Sequence, residues 1–485
     1  MQKLNQIQSY KIKINMGYFT NFAQFFKYTL LVLTNINNTV TSNHILARYP
    51  IGKLLKIYSL PAILNMLVIA MYNIVDRIFV GQGAGTMAIC GMALTLPCLA
   101  LFSTIGTLTG VGASSAINAL PDNDDRIKNA RQILGNALIL CFISSLILAF
   151  LALLFIEPVL KNFGGSDETI SHAIIYLEIM IPAGILSNIN ITLSNAARMI
   201  ESRRKIMTIM LIGPLLNIIF SPVFIFALNM GIKGAGWGSA ISIAITFALI
   251  VQHLHKKKRK LRLYLSDFTP SIKVLLPIIG IGMAPFIMHI TTSMVNIIIN
   301  RYLIIHGGDY AVGAYGIIAT MLFLVAAIQQ GICQGMQPIV NFNYKMGFSD
   351  RVKSTLIKAI MAASWIAIIG FALFELFPAE IMKAFTTNQN LISIGITGFK
   401  FTILLLPLTG FQIVTTSFFQ SIKQPAKAIV INISRQFLFL IPALIILSPK
   451  MGLDGIWLAT PLADALVIIP TAIILALTPI SQSSH

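Results

Sequence analysis

One aspartate lies inside a long apolar stretch of the chain, where a carboxyl group is least expected. Asp76 stands in the run YNIVDRIFVG, residues 72–81. A charged aspartate at the centre of a membrane-spanning helix costs about 2.5–3.5 kcal/mol on insertion scales, so such residues usually have a function. A carboxyl group at this depth can carry a proton or bind a small cation such as Na⁺. Tyr72 and Asn73, four and three residues earlier, share its helical face and extend the candidate site.

The alternative for Asp76 is a structural ion pair with Arg77 near the membrane surface. Neighbouring residues on a helix point about 100° apart, which weakens such a pair. We therefore predict that Asp76 acts as a functional group rather than as the partner of Arg77.

Other polar side chains inside apolar stretches are candidates for a substrate cleft. Gln330, Gln334 and Gln337 are spaced by four and three residues, so they share one helical face. His289 and Asn300 complete this set of candidates. For each of them the alternative is a structural hydrogen bond between helices, and for His289 this competes with a role as proton relay.

The elements that carry these residues are helices long enough to cross a bilayer. The chain is 56% hydrophobic and 11% charged, whereas soluble domains carry about 25% charged residues. Its apolar stretches are continuous rather than alternating, which favours helices over strands. The sequence predicts an all-α membrane protein with twelve spans, near 54–80, 87–118, 132–156, 172–197, 206–229, 235–254, 274–304, 311–340, 357–377, 392–419, 428–447 and 456–478.

The chain contains one unit twice, about 223 residues apart. Gly112 returns as Gly335, and the run MGIKG at 230–234 returns as MGLDG at 451–455. Each copy holds six spans, so the second copy starts on the same side as the first and the repeat is parallel, about an axis along the membrane normal. The chain is predicted to begin with a flexible or interfacial polar extension (1–52), followed by a first six-helix lobe (53–257). A cytoplasmic linker (258–271) then leads to a second six-helix lobe (272–485).

The repeat copies the scaffold but not the carboxylate. Asp76 and Arg77 align with Asn300 and Arg301, shifted by 224 residues. A large internal repeat in a membrane protein is typical of a transporter whose path lies between the halves. We therefore expect an ion-coupling site in the N-terminal lobe alone.

The net charge of +19 does not indicate nucleic-acid binding, because the charges are sorted by side. Loops on one side of the predicted membrane hold 20 Lys and Arg residues, and those on the other side hold five. This positive-inside pattern predicts that the first side and both termini are cytoplasmic. The basic run at 256–260 is interpreted as a topology determinant, with an anionic-lipid site as the alternative.

The sequence patterns of enzymes and metal proteins are absent from the sequence. It contains no GxxxxGK[ST] and no HExxH, and its four cysteines all lie inside apolar spans without a CxxC. We therefore predict no enzymatic activity, no cofactor, no disulfide and no metal beyond a possible Na⁺ at Asp76.

Four blocks of the sequence, taken in order, resemble the multidrug and toxic compound extrusion (MATE) family, and most closely its DinF/MepA-like branch. The likeness covers about residues 53–480. The blocks are SLP at 59–61 with the run at 72–81, NR at 300–301 with GGD at 307–309 and GAYGI at 313–317, QGMQP at 334–338 with NY at 343–344, and GIWLA at 455–459 with PLAD at 461–464.

The resemblance implies two six-helix lobes around a V-shaped cleft and export of organic, often cationic, compounds in exchange for H⁺ or Na⁺. It implies that Asp76 is the cation-coupling residue, that the first helix bends at Pro61, and that Asn217 neighbours the coupling site. The expected protein is a monomer in the bacterial inner membrane, and its partners are drugs, the coupling ion and lipids.

One position departs from the family pattern. Four residues after Asn217, where the family usually has Asp, this chain has Ser221, whose hydroxyl group does not supply a negative charge. With a single carboxylate, proton carriage by Asp76 is simpler than Na⁺ binding, since a dehydrated Na⁺ takes several oxygen ligands. Both ions stay open, because amide, hydroxyl and carbonyl oxygens also ligate Na⁺.

The alternative function is a lipid-linked oligosaccharide flippase of the same superfamily. Such a protein lines its cleft with cationic residues that hold a pyrophosphate, and here Arg435 is one of few candidates outside the loops. Asp464 on another span could neutralise Arg435, which the sequence alone does not decide. A structural scaffold, the remaining class, does not explain a buried aspartate.

Overall fold

The computed structural model describes residues 43–121, 123–256 and 261–478, and that part of the chain is helical almost throughout, without a strand. Most of the predicted N-terminal extension and nearly all of the basic run at 256–260 lie outside the described residues. We number the membrane-spanning helices as follows: α1 Ile51–Gly83, α2 Thr86–Ala119, α3 Arg126–Leu154, α4 Asp167–Ile200, α5 Lys205–Ala227, α6 Ile232–His255, α7 272–307, α8 309–345, α9 Ser349–Leu376, α10 Gln389–Thr402 with Leu406–Ser421, α11 Pro425–Met451 and α12 Leu453–Ala476. Shorter helices at Asn43–Arg48, Ile156–Asn162, Leu265–Phe268 and Pro378–Phe385 lie between or before them.

Helices α7 and α8 form one continuous hydrogen-bonded element, Ile272–Lys345, of 74 residues. A straight helix of that length would measure about 110 Å, far more than a bilayer. The backbone at Gly308 is not helical (φ 65°, ψ −165°), and the Tyr315 hydroxyl donates to the Asn296 side-chain oxygen over 3.1 Å. Those two residues would be about 28 Å apart along a straight helix, so the chain reverses at Gly308.

The twelve predicted spans are therefore confirmed. Helix α10 is a broken span, whose two halves meet at an angle of 60°. Helices α3 and α9, at equivalent places in the two copies, carry many exposed apolar side chains, such as Phe150 and Leu373. Those faces are apolar enough to contact lipid.

The sequence repeat is also a repeat of backbone conformation. Gly85 and Gly308, 223 residues apart, both have positive φ (95° and 65°) between the first and second span of their lobe. Gly231 and Gly452 have nearly the same dihedrals, φ 56° and ψ −132° against φ 60° and ψ −131°. Only glycine adopts these conformations readily, so the turns repeat together with the residues that permit them.

The two lobes meet closely through small residues. A Cβ atom on Gly112 of α2 would lie 2.1 Å from the Ile278 carbonyl oxygen on α7. A Cβ atom on Gly335 of α8 would lie 2.5 Å from the Ser59 Cα atom on α1. Gly112 and Gly335 are the pair of glycines that the repeat relates, so the lobes contact each other through two equivalent, close helix crossings.

We call the side where α1 begins and α12 ends the terminal side. On the opposite side, four hydrogen bonds join the lobes. They run from Arg77 Nη1 to Gly316 O (2.8 Å), from Gln82 Nε2 to Ala384 O (3.0 Å), between the Thr86 and Thr386 hydroxyls (3.1 Å), and from Ser166 N to Asp309 Oδ1 (3.2 Å). The lobes are thus held together at the opposite side.

Candidate functional site

Asp76 lies in the second half of α1 and is almost fully buried, with 3% of its surface exposed. Ser221 on α5 donates a hydrogen bond of 2.7 Å from its hydroxyl to Asp76 Oδ1. Within the described ranges, the ion pairs found within 4 Å involve other carboxylates, and none involves Asp76. The carboxyl group of Asp76 therefore has a hydroxyl partner but no cationic one.

The hydrogen bonds continue from Ser221 across the N-terminal lobe. The Ser221 hydroxyl also lies 3.1 Å from Asn217 Oδ1, and Asn217 donates from Nδ2 to the Ser239 hydroxyl on α6 over 2.7 Å. A serine hydroxyl has one hydrogen, so Ser221 donates either to Asp76 or to Asn217. An ionised Asp76 accepts that hydrogen; a protonated Asp76 can donate to Ser221, which then donates to Asn217. Rotation of one hydroxyl therefore accommodates both charge states of Asp76.

Two tyrosines complete this group. The side chains of Tyr72 on α1 and Tyr176 on α4 both lie close to Ser239. Four helices thus contribute to one polar cluster, which we call the Asp76 network: Asp76, Ser221, Asn217, Ser239, Tyr72 and Tyr176. Since those helices surround it, the network lies inside the N-terminal lobe.

Arg77, the neighbour of Asp76, forms its hydrogen bond with the other lobe. Its side chain is buried, and Nη1 donates to the Gly316 carbonyl oxygen on α8 of the other lobe over 2.8 Å. The ion pair between Asp76 and Arg77, which the sequence leaves as an alternative, is not formed. The two adjacent residues point to different lobes, as their helical spacing predicts.

A cavity of about 400 Å³ opens beside the Asp76 network. It is lined by α1, α4, α5 and α6, and Tyr72, Asn217 and Ser239 are part of its wall. Neither Asp76 nor Ser221 is among the lining residues, and the Ser221 hydroxyl connects Asp76 to Asn217 of the wall. The lining also contains three methionines, which adapt to ligands of different shape: Met66, Met207 and Met210.

The C-terminal lobe contains a cavity of its own, of about 450 Å³, lined by α7, α8, α10, α11 and α12. Its wall is rich in amides and hydroxyls, with four glutamines and five threonines. Arg435 on α11 and Asp464 on α12 also line it and form an ion pair, with Arg435 Nε 2.5 Å from Asp464 Oδ1. Asp464 therefore neutralises Arg435, the residue that was the candidate cation of a flippase cleft.

Of the five residues predicted to line a substrate cleft, some line the C-terminal cavity and others do not. Gln330 and His289 line the C-terminal cavity. Gln337 donates to the Ser417 hydroxyl over 3.3 Å and so joins α8 to α10, whereas Gln334 is half-buried and not among the lining residues. Asn300 is 1% exposed and lines neither cavity.

Two predicted residues of α1 lie outside the Asp76 network. Asn73 donates from Nδ2 to the Ile69 carbonyl oxygen of its own helix over 2.8 Å. Pro61 lies in the first half of α1, which continues as a helix through it. In the described part of the chain, no group of three or more His, Cys, Asp or Glu side chains is arranged to hold a metal ion.

The MatE family model matches this chain twice, at residues 61–223 and 284–446. The second match begins and ends 223 residues after the first, the spacing of the internal repeat. The chain belongs to the MatE family.

Known MATE proteins resemble this one over most of its length. It is 26% identical over 432 residues to the multidrug export protein MepA of Staphylococcus aureus (strain MRSA252), which covers 88% of this chain and 94% of MepA. The MATE multidrug transporter DinF-BH, whose structure was solved in complex with a small molecule, is 31% identical, with a TM-score of 0.73 over 87% of this chain and 95% of DinF-BH. Another solved structure, an inward-facing MATE family transporter of the MOP superfamily, is 21% identical, with a TM-score of 0.75 over 87% and 99% of the two chains.

For this MATE protein, some residues of the Asp76 network were missed by sequence reasoning. Tyr176 and Ser239 lie on α4 and α6, far from Asp76 in the sequence, and both resemble ordinary residues of packed helices. Ser221 was singled out only as a departure from the family pattern, yet it is the direct hydrogen-bond partner of Asp76.

Proposed function

We propose that this MATE protein is a secondary active exporter of organic, often cationic, compounds, driven by inward flow of H⁺ and coupled through Asp76. The observation that carries the proposal is a buried carboxyl group without a cationic partner, linked to the wall of a cavity through Ser221 and Asn217. Such a group can gain and lose charge, whereas a carboxylate in an ion pair is held in its charged form.

The Asp76 network provides a step between two charge states. When Asp76 is ionised, Ser221 donates to it and the N-terminal lobe carries one additional negative charge. At an effective dielectric constant of 20, this charge attracts a cation about 6 Å away by about 3 kcal/mol. When Asp76 takes up a proton, Ser221 turns to Asn217 and this attraction is lost, so a bound cation is released.

The surroundings of Asp76 favour H⁺ over Na⁺ as the coupling ion. The oxygen atoms joined to Asp76 by hydrogen bonds, directly or through Ser221, belong to one hydroxyl and one amide. A dehydrated Na⁺ ion takes several oxygen ligands, and these bonded side chains supply few. Uptake of a proton by Asp76 requires only that the hydrogen bond between Ser221 and Asp76 reverse its direction.

The named relatives support the class of substrate. MepA is a multidrug export protein, and DinF-BH is a multidrug transporter that was solved with a small molecule bound. We infer that lipophilic cations enter the N-terminal cavity, where methionines supply adaptable apolar contacts. The charge distribution of the loops supports a cytoplasmic terminal side in the bacterial inner membrane, and hence export from that side.

The test is ethidium export from drug-sensitive bacteria that express the full chain. We expect cells with the original protein to export ethidium and cells with Asp76→Asn to retain it, because the amide cannot exchange a proton. The matched control is Asn73→Ala, three residues away on the same helix, which bonds only to its own backbone and leaves export unchanged.

Protein levels in the membrane are compared by immunoblot. If Asp76→Asn is present at the normal level and exports ethidium as the original chain does, the coupling role of Asp76 is refuted. If the original chain exports neither ethidium nor other lipophilic cations, the proposed class of substrate is wrong.

A further inference from the structure

The guanidinium group of Arg435 is only partly used by its ion pair. Arg435 donates to Asp464 from Nε, and among the residues that the structure describes its two Nη groups have no hydrogen-bond partner. Neither Nη atom is a buried atom without a partner, and the side chain is 26% exposed on the wall of the C-terminal cavity. An arginine has five N–H donors, so most of them remain available to a ligand in the cavity.

The local fold fixes the direction of this group. Arg435 lies in a π-helical segment of α11, Ser434–Leu440, a wide turn that is frequent at functional sites. Asp464 on α12 is nearly buried and holds Nε at 2.5 Å. Because a guanidinium is planar and rigid, fixing Nε also fixes the plane in which the two Nη groups lie.

The break in α10 forms another part of the wall of this cavity. The second half of α10 begins at Leu406, and Leu406 and Thr409 in its first turn line the cavity. Just before the break, Thr402 lines the same cavity, is 7% exposed, and has a buried hydroxyl without any hydrogen-bond partner.

We propose that the C-terminal cavity is a binding site for the carboxylate group of small organic acids and zwitterions, which Arg435 holds through its two Nη groups. Two parallel N–H···O bonds to a carboxylate match the geometry of the guanidinium fork. The cavity, about 450 Å³, lies within the size range of sites for drug-sized ligands.

The ligand is a monoanion rather than a phosphate or pyrophosphate. Arg435 is the only Lys or Arg on the described wall of this cavity, and Asp464 already balances its charge. A carboxylate adds one negative charge and receives two strong hydrogen bonds. A dianion would add two negative charges beside Asp464 without a second cation.

The two cavities thus differ in the charge of the ligands that suit them. The N-terminal cavity, next to Asp76, suits cations, and the C-terminal cavity suits compounds with a free carboxylate. Binding in the C-terminal cavity requires neither a gradient nor Asp76, so it stands or falls independently of the proposed coupling.

The test compares binding of rhodamine B, which has a free carboxylate, with binding of its ethyl ester, which has the same ring system and no carboxylate. Dissociation constants are measured by fluorescence anisotropy on the purified full chain in detergent. The main variant is Arg435→Gln with Asp464→Asn, in which a pair of amides replaces the ion pair and no buried charge is left alone. We expect the dissociation constant of the acid to rise about tenfold and that of the ester to stay constant.

A second variant and one control locate the effect. Arg435→Lys retains the charge but not the fork, and we expect it to weaken binding of the acid alone. Arg198→Gln changes the arginine of the other cavity, and we expect it to leave binding of the acid unchanged. An equal change for acid and ester in the Arg435 variants, or loss of acid binding in Arg198→Gln, overturns the proposal.

Discussion

Each lobe holds one buried aspartate inside its spans, and the two are bonded in opposite ways. Asp76 in the N-terminal lobe accepts from a serine hydroxyl and has no cationic partner in the described chain. Asp464 in the C-terminal lobe is paired with Arg435. A carboxyl group beside hydroxyls can change its charge with a small rearrangement, whereas a carboxylate beside a guanidinium remains charged. The lobes thus share a backbone plan and differ in chemistry.

Moving the carboxylate from one lobe to the other has the largest expected effect. Asn300 occupies the position in the second copy that Asp76 occupies in the first, but it lines neither cavity. We expect the exchange of Asp76→Asn with Asn300→Asp to reduce ethidium export to the level of cells without the protein. Restored export in this double variant would show that a carboxylate at either equivalent position suffices.

Removing one partner of the C-terminal ion pair is expected to affect stability rather than coupling. Asp464→Asn leaves the Arg435 charge in the membrane interior, which costs about 3–5 kcal/mol for a fully buried pair, and the partial exposure of Arg435 places the effect at the lower end. Thermal unfolding in detergent measures this loss. The Arg435→Gln and Asp464→Asn double variant should regain most of it, and a double variant as unstable as the single one contradicts the account.

Adding a second carboxylate to the N-terminal lobe is expected to change which ion drives export. Ser221→Asp places a second carboxyl group beside that of Asp76. The additional oxygen ligands favour Na⁺ binding. In liposomes with an imposed Na⁺ gradient, we expect this variant to transport substrate and the original chain not to. Equal Na⁺-driven transport by both proteins would show that Ser221 does not set the ion preference.

The smallest effect is expected at Asn300 itself. Its side-chain oxygen is buried without a hydrogen-bond partner, which is unfavourable in the folded protein. We expect Asn300→Leu to keep export unchanged and to leave the free energy of unfolding equal or raise it by about 1 kcal/mol. Loss of export in this variant would instead place Asn300 in the transport path.

The sequence predicts the twelve spans and the parallel repeat because both depend on local composition and spacing. Apolar stretches and paired glycines are visible without knowing any contact between distant residues. The isolated position of Asp76 in an apolar run also pointed to its burial. By contrast, the partner of Asp76 depends on how α1 packs against α5, which no pattern within either helix determines.

The glutamines of α8 illustrate the same limit. The common helical face of Gln330, Gln334 and Gln337 was predicted from their spacing, but of these three only Gln330 lines a cavity, whereas Gln337 bonds to α10. Spacing determines which side chains share a face, and packing determines which of them remains open. Tyr176 and Ser239 could not have been found in the same way, because they differ from other buried polar residues only by what they contact.

The most direct test of the central claim is substrate transport into or out of liposomes that contain the purified protein, under an imposed H⁺ gradient or an imposed Na⁺ gradient. We expect the H⁺ gradient, and not the Na⁺ gradient, to drive transport by the original chain. We expect Asp76→Asn to abolish this H⁺-driven transport. H⁺-driven transport that persists in Asp76→Asn, or transport by the original chain driven by Na⁺ alone, would contradict the central claim.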